Sequence, residues 1–222
     1  MNDSFFKKWI NTYPAGLRRE FHRDGIINDK IFSQQKLRIL FVAKEPNSKD
    51  GNFDQHLGAD LRKIWGELCL KKPFDYNVAR WTRIISDDVD GGHLISWAEV
   101  AQTMRRVAII NLKKMAGSGS ENREEVCLYS FQDKHFIKEQ LDGIRPDVIF
   151  ACGKDGFVFR MLWRIINDEV CFRPENENSF KAVIHGRIVP IFSTYHPSLR
   201  LKRQKDEAAD MMKGIRKRLL GT

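Results

Sequence analysis

Three hydrophobic segments of this chain end in polar residues suited to chemistry, and they constrain its fold most strongly. Runs rich in β-branched and aromatic residues are typical of strands buried on both faces of a parallel sheet. The three segments are 40–47 (LFVAKEPN), 107–114 (VAIINLKK) and 188–200 (IVPIFSTYHPSLR). Open α/β sheets bind ligands just beyond the carboxyl ends of such strands. The pattern therefore predicts that Glu45, Asn111 and His196 meet at one sheet edge. A carboxylate, an amide and an imidazole gathered there can activate water, read a polar ring edge and stabilise a leaving anion.

Predicted strands alternate with predicted helices along the chain, which favours an α/β fold of three layers, α/β/α, with a central four-stranded parallel sheet. The strands are expected at 37–43, 107–112, 148–151 and a last one ending near Ser193, with a possible edge strand at 181–185. The helices are expected at 5–22 with a break near Pro14, at 57–70, from Trp97 behind a Ser96 cap, and at 132–141, 157–166 and 206–220. The segment 71–81 stays unassigned.

The length and composition predict a single domain. A chain of 222 residues with 42% hydrophobic residues can bury a substantial core. We expect one domain over residues 1–222, in which residues 1–36 form an N-terminal helical extension packed on the rest. No apolar stretch approaches membrane-spanning length, and the N-terminus lacks the order of a signal peptide. We therefore expect a cytoplasmic protein, associated with the nucleoid if it binds DNA.

The cysteines give no sign of a metal centre. They are Cys69, Cys127, Cys152 and Cys171, and no two of them form a C-x-x-C pair. Zinc and iron–sulfur sites usually show at least one such close pair. Cys152 ends an apolar run and is interpreted as a small core residue. The sequence therefore predicts neither a metal nor a cofactor.

The charge of the chain favours a polyanionic partner. The formal net charge is +9, from 38 basic and 29 acidic residues. Four cations, Arg200, Lys202, Arg203 and Lys205, directly follow the predicted site. We expect Arg200, Lys202 and Arg203 to contact phosphates; the alternative is that these residues are the solvated start of the last helix.

Four segments, in this order, resemble the uracil-DNA glycosylase superfamily. They are 43–47 (AKEPN), 109–114 (IINLKK), 147–153 (DVIFACG) and 194–199 (TYHPSL). The first is similar to the family's Gly-x-(Asp/Asn/Ala)-Pro-x turn after the first strand, and the last to its His-Pro-Ser motif after the last strand. The second resembles the strand that ends in the base-reading Asn. The resemblance extends from about Leu37 to the C-terminus.

The resemblance implies a DNA glycosylase that removes uracil or another damaged base from DNA, as a monomer and without metal. Glu45 would then orient water and stabilise the sugar cation, and His196 would donate a hydrogen bond to the departing base. Asn111 would read the base edge, and Phe53 would stack on the flipped base. The resemblance also implies DNA contacts for the segment after His196: Ser198 and Arg200 would hold the strand, and Leu199 would wedge into the vacated base stack.

The chain departs from the family pattern at its first motif. Ala43 replaces the first Gly, and Glu45 stands where the family has Asp, Asn or Ala. The cysteines of the iron–sulfur branch are missing, and Met115 lies near one of their places. Phe53 follows the first motif at a shorter distance than the family's stacking aromatic.

Each candidate residue also has a purely structural interpretation. Glu45 can belong to a loop turn, paired with Lys44 or Lys49. His196 can be a turn residue bonded to backbone, and Asn111 can cap a strand end. Phe53 and Leu199 can be ordinary packing residues.

Two other functions remain open on the sequence alone. The altered first motif is compatible with a nucleic-acid- or nucleotide-binding protein that has lost catalysis on the same fold. A hydrolase of free nucleotides or nucleosides is a third possibility. Substitution of Glu45 separates an enzyme from a binder, because it abolishes turnover in the first and spares binding in the second.

Overall fold

The chain folds around one mixed β-sheet. The computed structural model describes residues 2–46, 59–68, 72–89, 95–117, 122–153, 155–169 and 176–221. Within these residues the strands are β1 (Gly25–Ile26), β2 (Ile39–Ala43), β3 (Ala108–Asn111), β4 (Val148–Cys152), β5 (Ser179–Ile184) and β6 (Arg187–Thr194). Their order across the sheet is β1-β3-β2-β4-β6-β5. The predicted α/β class is confirmed.

Antiparallel strands form both edges of the sheet. β2 pairs in parallel with β3 and β4, and β4 pairs in parallel with β6. β1 and β5 add to the edges in antiparallel orientation, so the sheet has six strands. β5 agrees with the possible edge strand expected at 181–185, whereas β1 was not predicted. β5 and β6 form a hairpin whose turn places His185 and Gly186 at positive φ, as tight hairpins require. β1 has only two residues, too few to produce a sequence pattern.

Helices occupy most of the remaining described chain. They are α1 (Asp3–Ile10), α2 (Ala15–Arg18), α3 (Asp29–Ser33), α4 (Leu61–Lys63), α5 (Pro73–Asp87), α6 (Trp97–Met104), α7 (Arg123–Gln132), α8 (Lys134–Ile144), α9 (Phe157–Asn167) and α10 (Lys202–Leu220). A π-helical turn, Ile64–Leu68, follows α4 directly. None of the helices in the described ranges has the length and apolar content needed to cross a membrane.

The helix predictions need three corrections. Residues 73–81 of the unassigned segment belong to α5, which begins at Pro73. The helix expected at 132–141 corresponds to α8, and α7, which precedes it, was not predicted. The last helix begins at Lys202, one turn before the predicted start. The capping of α6 was predicted correctly, since the Ser96 hydroxyl and the Glu99 carboxylate bond each other's backbone N–H.

Two hydrophobic cores cover opposite faces of the sheet. Leu40 and Val42 of β2 lie in one core with side chains of α1, α8 and α9. Ile39 and Phe41 of the same strand lie in the other with side chains of α5, α6 and α10. Every residue of β2, β3 and β4 is buried, because successive side chains of a strand point to opposite faces and both faces are covered. Helices, sheet and helices thus form three layers.

The N-terminal segment is joined to the sheet as well as packed on it. The Trp9 ring stacks on Phe136 of α8 with centroids 5.1 Å apart. After α1 and α2, the chain enters β1, which pairs with β3. This pairing carries Asp24, the residue before β1, to the end of β3.

Candidate active site

The three predicted residues follow parallel strands that end at the same edge of the sheet. Ala43, the last residue of β2, lies opposite Asn111, the last residue of β3. Thr194, the last residue of β6, lies opposite Cys152 of β4. Glu45 and His196 each come two residues after their strand. Parallel strands end on the same side, so all three residues lie at the carboxyl edge, where α/β proteins bind ligands.

Glu45 is held by a buried lysine. Its Oε2 accepts a hydrogen bond of 2.9 Å from Lys113 Nζ. The Lys113 side chain is only 2% exposed, and its Nζ also lies 3.1 Å from Glu125 Oε2. Lys44 or Lys49 was the partner expected from the sequence if Glu45 has only a structural role. The observed partner is Lys113, and Lys49 lies outside the described residues. The ion pair fixes the carboxylate beside a cation that solvent hardly reaches.

Gly117 leaves the space that the Glu45 carboxylate occupies. A Cβ atom built on Gly117 would lie 2.0 Å from Glu45 Oε1 and 2.2 Å from its Cδ. The Gly117 N–H donates to the Pro46 carbonyl at 2.9 Å, which joins the two loops. The loop after β3 therefore shapes the position of Glu45 through Lys113 and through the missing side chain of Gly117.

Asn111 belongs to a buried polar network. Its backbone N–H and its Nδ2 donate to Asp24 Oδ2 at 2.7 and 3.2 Å. Asp24 Oδ1 accepts from Lys114 Nζ at 2.6 Å and from Gln140 Nε2 at 3.0 Å. Asp24, Lys114 and Gln140 are fully buried. Burial lowers the pKa of Lys114, and the charge of Asp24 opposes this.

This network agrees with the structural interpretation of Asn111 and does not exclude the functional one. The contact with Asp24 fixes the orientation of the amide. It uses one hydrogen of an amide that has two donors and one acceptor. The role of Asn111 in reading a base stays a prediction.

His196 is a neutral ring in a defined tautomer. Its Nδ1 accepts from the Ser198 backbone N–H at 3.2 Å, which leaves the ring proton on Nε2. Burial, helped by the positive charge of Lys44, lowers the pKa of His196 to about 4. The ring lies 6.0 Å from the Phe74 ring, which stacks on Trp65 at 6.2 Å. Lys44 lies in the turn that carries Glu45, and its positive charge lowers the pKa of His196. The turn after β2 and the turn after β6 are therefore linked electrostatically.

We expect the His196 ring to stay neutral when the pH falls through 6.5, the usual pKa of histidine. The folded ring should take up a proton only near pH 4, because burial disfavours the charged form. Nitrogen-detected NMR of the imidazole across this range tests both the titration and the Nε2–H tautomer. The His196→Gln variant assigns the signal among the six histidines. Titration of this ring near 6.5 would contradict the arrangement.

Asn77 holds the His196 segment and was not predicted. It lies on α5 and is 1% exposed. Its Nδ2 donates to the carbonyls of Pro197 and Leu199 at 2.6 and 3.2 Å. No local signal marks such a residue, because its partners lie 120 or more positions away.

The other predicted residues lie in three different settings. Ser198 is exposed, and its backbone supports His196. Leu199 is half-buried against the core around α5 and α10, a contact that favours the packing interpretation. Phe53, the proposed stacking residue, lies outside the described residues. The wedge and stacking roles stay predictions.

The predicted phosphate-binding cations lie around the start of α10. Arg200 and Lys202 are exposed and line a cavity beside the segment. Arg203 is exposed too, but its Nε donates to Glu207 Oε1 at 2.8 Å. Arg200 and Lys202 are therefore better placed for an external anion than Arg203.

Comparison of the chain with protein-family models and with curated proteins found no match.

Proposed function

We propose that this protein is a DNA glycosylase that hydrolyses the N-glycosidic bond of uracil or a related damaged base in DNA. The observation that carries the proposal is the pairing of chemistries at one sheet edge. A carboxylate held by Lys113 follows β2, and a neutral imidazole with its proton on Nε2 follows β6. The four motif segments that resemble the uracil-DNA glycosylase superfamily support it, and we propose that the fold is the one of that family.

The two groups match the charges that develop when the bond breaks. The sugar becomes positive, and the departing base becomes negative. Glu45 can stabilise the first charge and orient the attacking water, while Nε2–H of His196 can donate to the second. One strand, β4, separates β2 from β6, so their ends lie roughly 10 Å apart at the usual strand spacing.

Asn111 lies on the other side of Glu45, because β3 is the neighbour of β2. Asp24 orients its amide, and the remaining hydrogen and the oxygen suit the paired edge of a pyrimidine. The basic segment after His196 supplies charge for the phosphate backbone, which accounts for DNA as the partner.

A strand-cleavage assay tests the proposal. Duplex and single-stranded oligonucleotides carrying uracil, hypoxanthine or xanthine are incubated with the protein, and abasic sites are cleaved with alkali. We expect cleavage at one of these bases and none in an undamaged control. His196→Gln should slow the release of the base, since the donor to the leaving group changes.

A second candidate is a DNA-binding protein without catalysis, and one observation favours it. Both Glu45 and Asn111 are bound by partners within the protein, Lys113 and Asp24. Tight binding of DNA together with inertness on all three bases would select this alternative.

The Gly117→Ala variant tests whether the position of the Glu45 carboxylate matters. The added methyl overlaps the carboxylate, which is the movable end of a side chain, so we expect Glu45 to shift and the fold to persist. A displacement of about 1 Å is enough to lower the rate roughly tenfold to a hundredfold. The measurement is single-turnover base release, with the melting temperature recorded in parallel.

Gly214→Ala is the matched control for this variant. A Cβ at Gly214 meets nothing within 4 Å, so activity should not change. Full activity of Gly117→Ala would show that the position of Glu45 does not govern the rate.

A further inference from the structure

The cavity that Arg200 and Lys202 line is also lined by Asn77, the residue that holds Pro197 and Leu199. It has a volume of about 840 Å³ and is bounded by α5, the start of α6 and the start of α10. Such a volume lies within the range of small-molecule sites. The residues that matter for its chemistry are Tyr76, Arg80, Trp97, Arg200, Lys202 and Lys205.

Arg80 is the residue of this cavity that most strongly indicates an anionic ligand. It is 9% exposed, and its Nε is enclosed without a hydrogen-bond partner. No hydrogen bond or ion pair joins its guanidinium to any other residue in the described part of the chain. Burying a cation is costly unless it is paired. The mostly buried side chain, with an unpartnered donor at Nε, therefore offers the cavity a cation for an anion from outside.

The start of α10 adds charge of the same sign. Lys202 lies in the first turn of this helix and Lys205 just after it, and the first turn contains no acidic residue. A helix N-terminus attracts anions, so cations there oppose the helix dipole and cost stability. Within the cavity lining, four cations face one carboxylate, that of Asp206. An incoming phosphate would pair with the cations and with the helix terminus together.

Part of the cavity lining is aromatic. Tyr76 and Trp97 meet edge to face with centroids 5.8 Å apart, and Trp97 is 39% exposed. The Tyr76 hydroxyl accepts from the Ile95 N–H at 3.3 Å, which holds the ring in place. Aromatic faces beside cations suit a flat ring that carries phosphate, and base stacking is tolerant of sequence.

We propose that this cavity is a nucleotide-binding site, with the phosphate at Arg80 and the base against Tyr76 and Trp97. The site goes beyond the proposed glycosylase activity and does not depend on it. Two sources share this chemistry, a free nucleoside monophosphate and a nucleotide within a DNA strand. A ligand in the cavity would contact the surroundings of Asn77, which holds the carbonyls of Pro197 and Leu199. Binding there would therefore affect the segment that carries His196.

Calorimetric titration of the full chain tests the site. The probes are thymidine monophosphate, thymidine, inorganic phosphate and a short oligothymidylate. If the free nucleotide is the ligand, we expect the monophosphate to bind at least tenfold more tightly than thymidine. Binding of the oligothymidylate alone would identify the DNA strand as the source, and binding of the monophosphate would identify the free nucleotide.

Arg80→Met is the decisive variant, and Arg83→Gln is its control. Arg83 lies on the same helix but pairs with Glu99 at 2.7 Å and does not line the cavity. Arg80→Met should weaken binding of whichever probe binds by tenfold or more, while Arg83→Gln leaves it unchanged. Arg80→Met should also melt at the same or a higher temperature without ligand, because a buried donor without a partner is removed.

Unchanged affinity in Arg80→Met, absence of binding by all four probes, or a marked loss of stability in this variant would overturn the site. Glu45→Gln should bind the probes as the unaltered protein does. A failed base-release assay and a failed nucleotide site are thereby told apart.

Discussion

Glu45→Gln should lower the rate of base release by about a hundredfold or more, by analogy with other groups that stabilise charge in a transition state. The substitution keeps the size and shape of the side chain and removes its charge. The amide oxygen can still accept from Lys113, so the loop after β2 should stay in place. What is lost is the negative charge beside the developing sugar cation. Single-turnover kinetics on the best substrate measures the effect, and affinity for abasic-site DNA should be retained.

Glu125→Gln is a close control for this variant. Glu125 is the second partner of Lys113, with its carboxylate oxygen 3.1 Å from Nζ, and its side chain is 40% exposed. The change removes one negative charge from the same lysine and leaves Glu45 intact. We expect its rate to lie within a few-fold of the unaltered protein. Equal losses in both variants would mean that the state of Lys113, and not the charge of Glu45, controls the reaction.

The elements that could be predicted from the sequence are those in which burial of every residue produces an uninterrupted run of apolar residues. β2 and β4 are buried on both faces, and their uninterrupted apolar runs were placed within two residues of their observed bounds. α5 was left unassigned because four of its buried positions carry polar residues, Asp75, Asn77, Arg80 and Thr82. Asn77 donates to backbone carbonyls of the His196 segment, and Arg80 lines a cavity. These polar residues therefore interrupt the periodic pattern of apolar residues by which a buried helix is predicted.

The shared edge of the candidate site was predictable, whereas its supporting contacts were not. Strand ends place Glu45, Asn111 and His196 on one side because parallel strands run in one direction. Their partners come from distant positions: Asp24 lies 87 residues from Asn111, and Lys113 lies 68 from Glu45. Adjacent lysines in a sequence usually indicate a solvated surface. Here Lys113 and Lys114 are buried, since carboxylates from other segments meet both of them.

The buried network around Asp24 leads to the largest expected effect on stability. Asp24→Ala removes the carboxylate that pairs with the Lys114 ammonium and accepts from the Asn111 N–H in a fully buried place. Lys114 Nζ keeps only its bond to the neutral Gln140 Oε1, and Gln140 Nε2 keeps its bond to the carbonyl of residue 24. Removal of one partner of a buried ion pair costs about 3–5 kcal/mol, because the other charge stays uncompensated. Chemical denaturation measures this loss. Asp210→Ala, which breaks an exposed pair with Lys213, should cost about 1 kcal/mol or less.

A second substitution shows whether the lost stability comes from charge or from packing. Lys114→Met in the Asp24→Ala background removes the uncompensated ammonium and fills similar space, so it should restore part of the free energy of unfolding. The Asp24→Ala variant should also gain stability as the pH rises from neutral. Burial without Asp24 lowers the pKa of Lys114 in the folded state, so the unfolded chain binds more protons in that range. Further destabilisation by Lys114→Met, with no gain at higher pH, would assign the loss to packing and leave Asp24 with only the role of orienting Asn111.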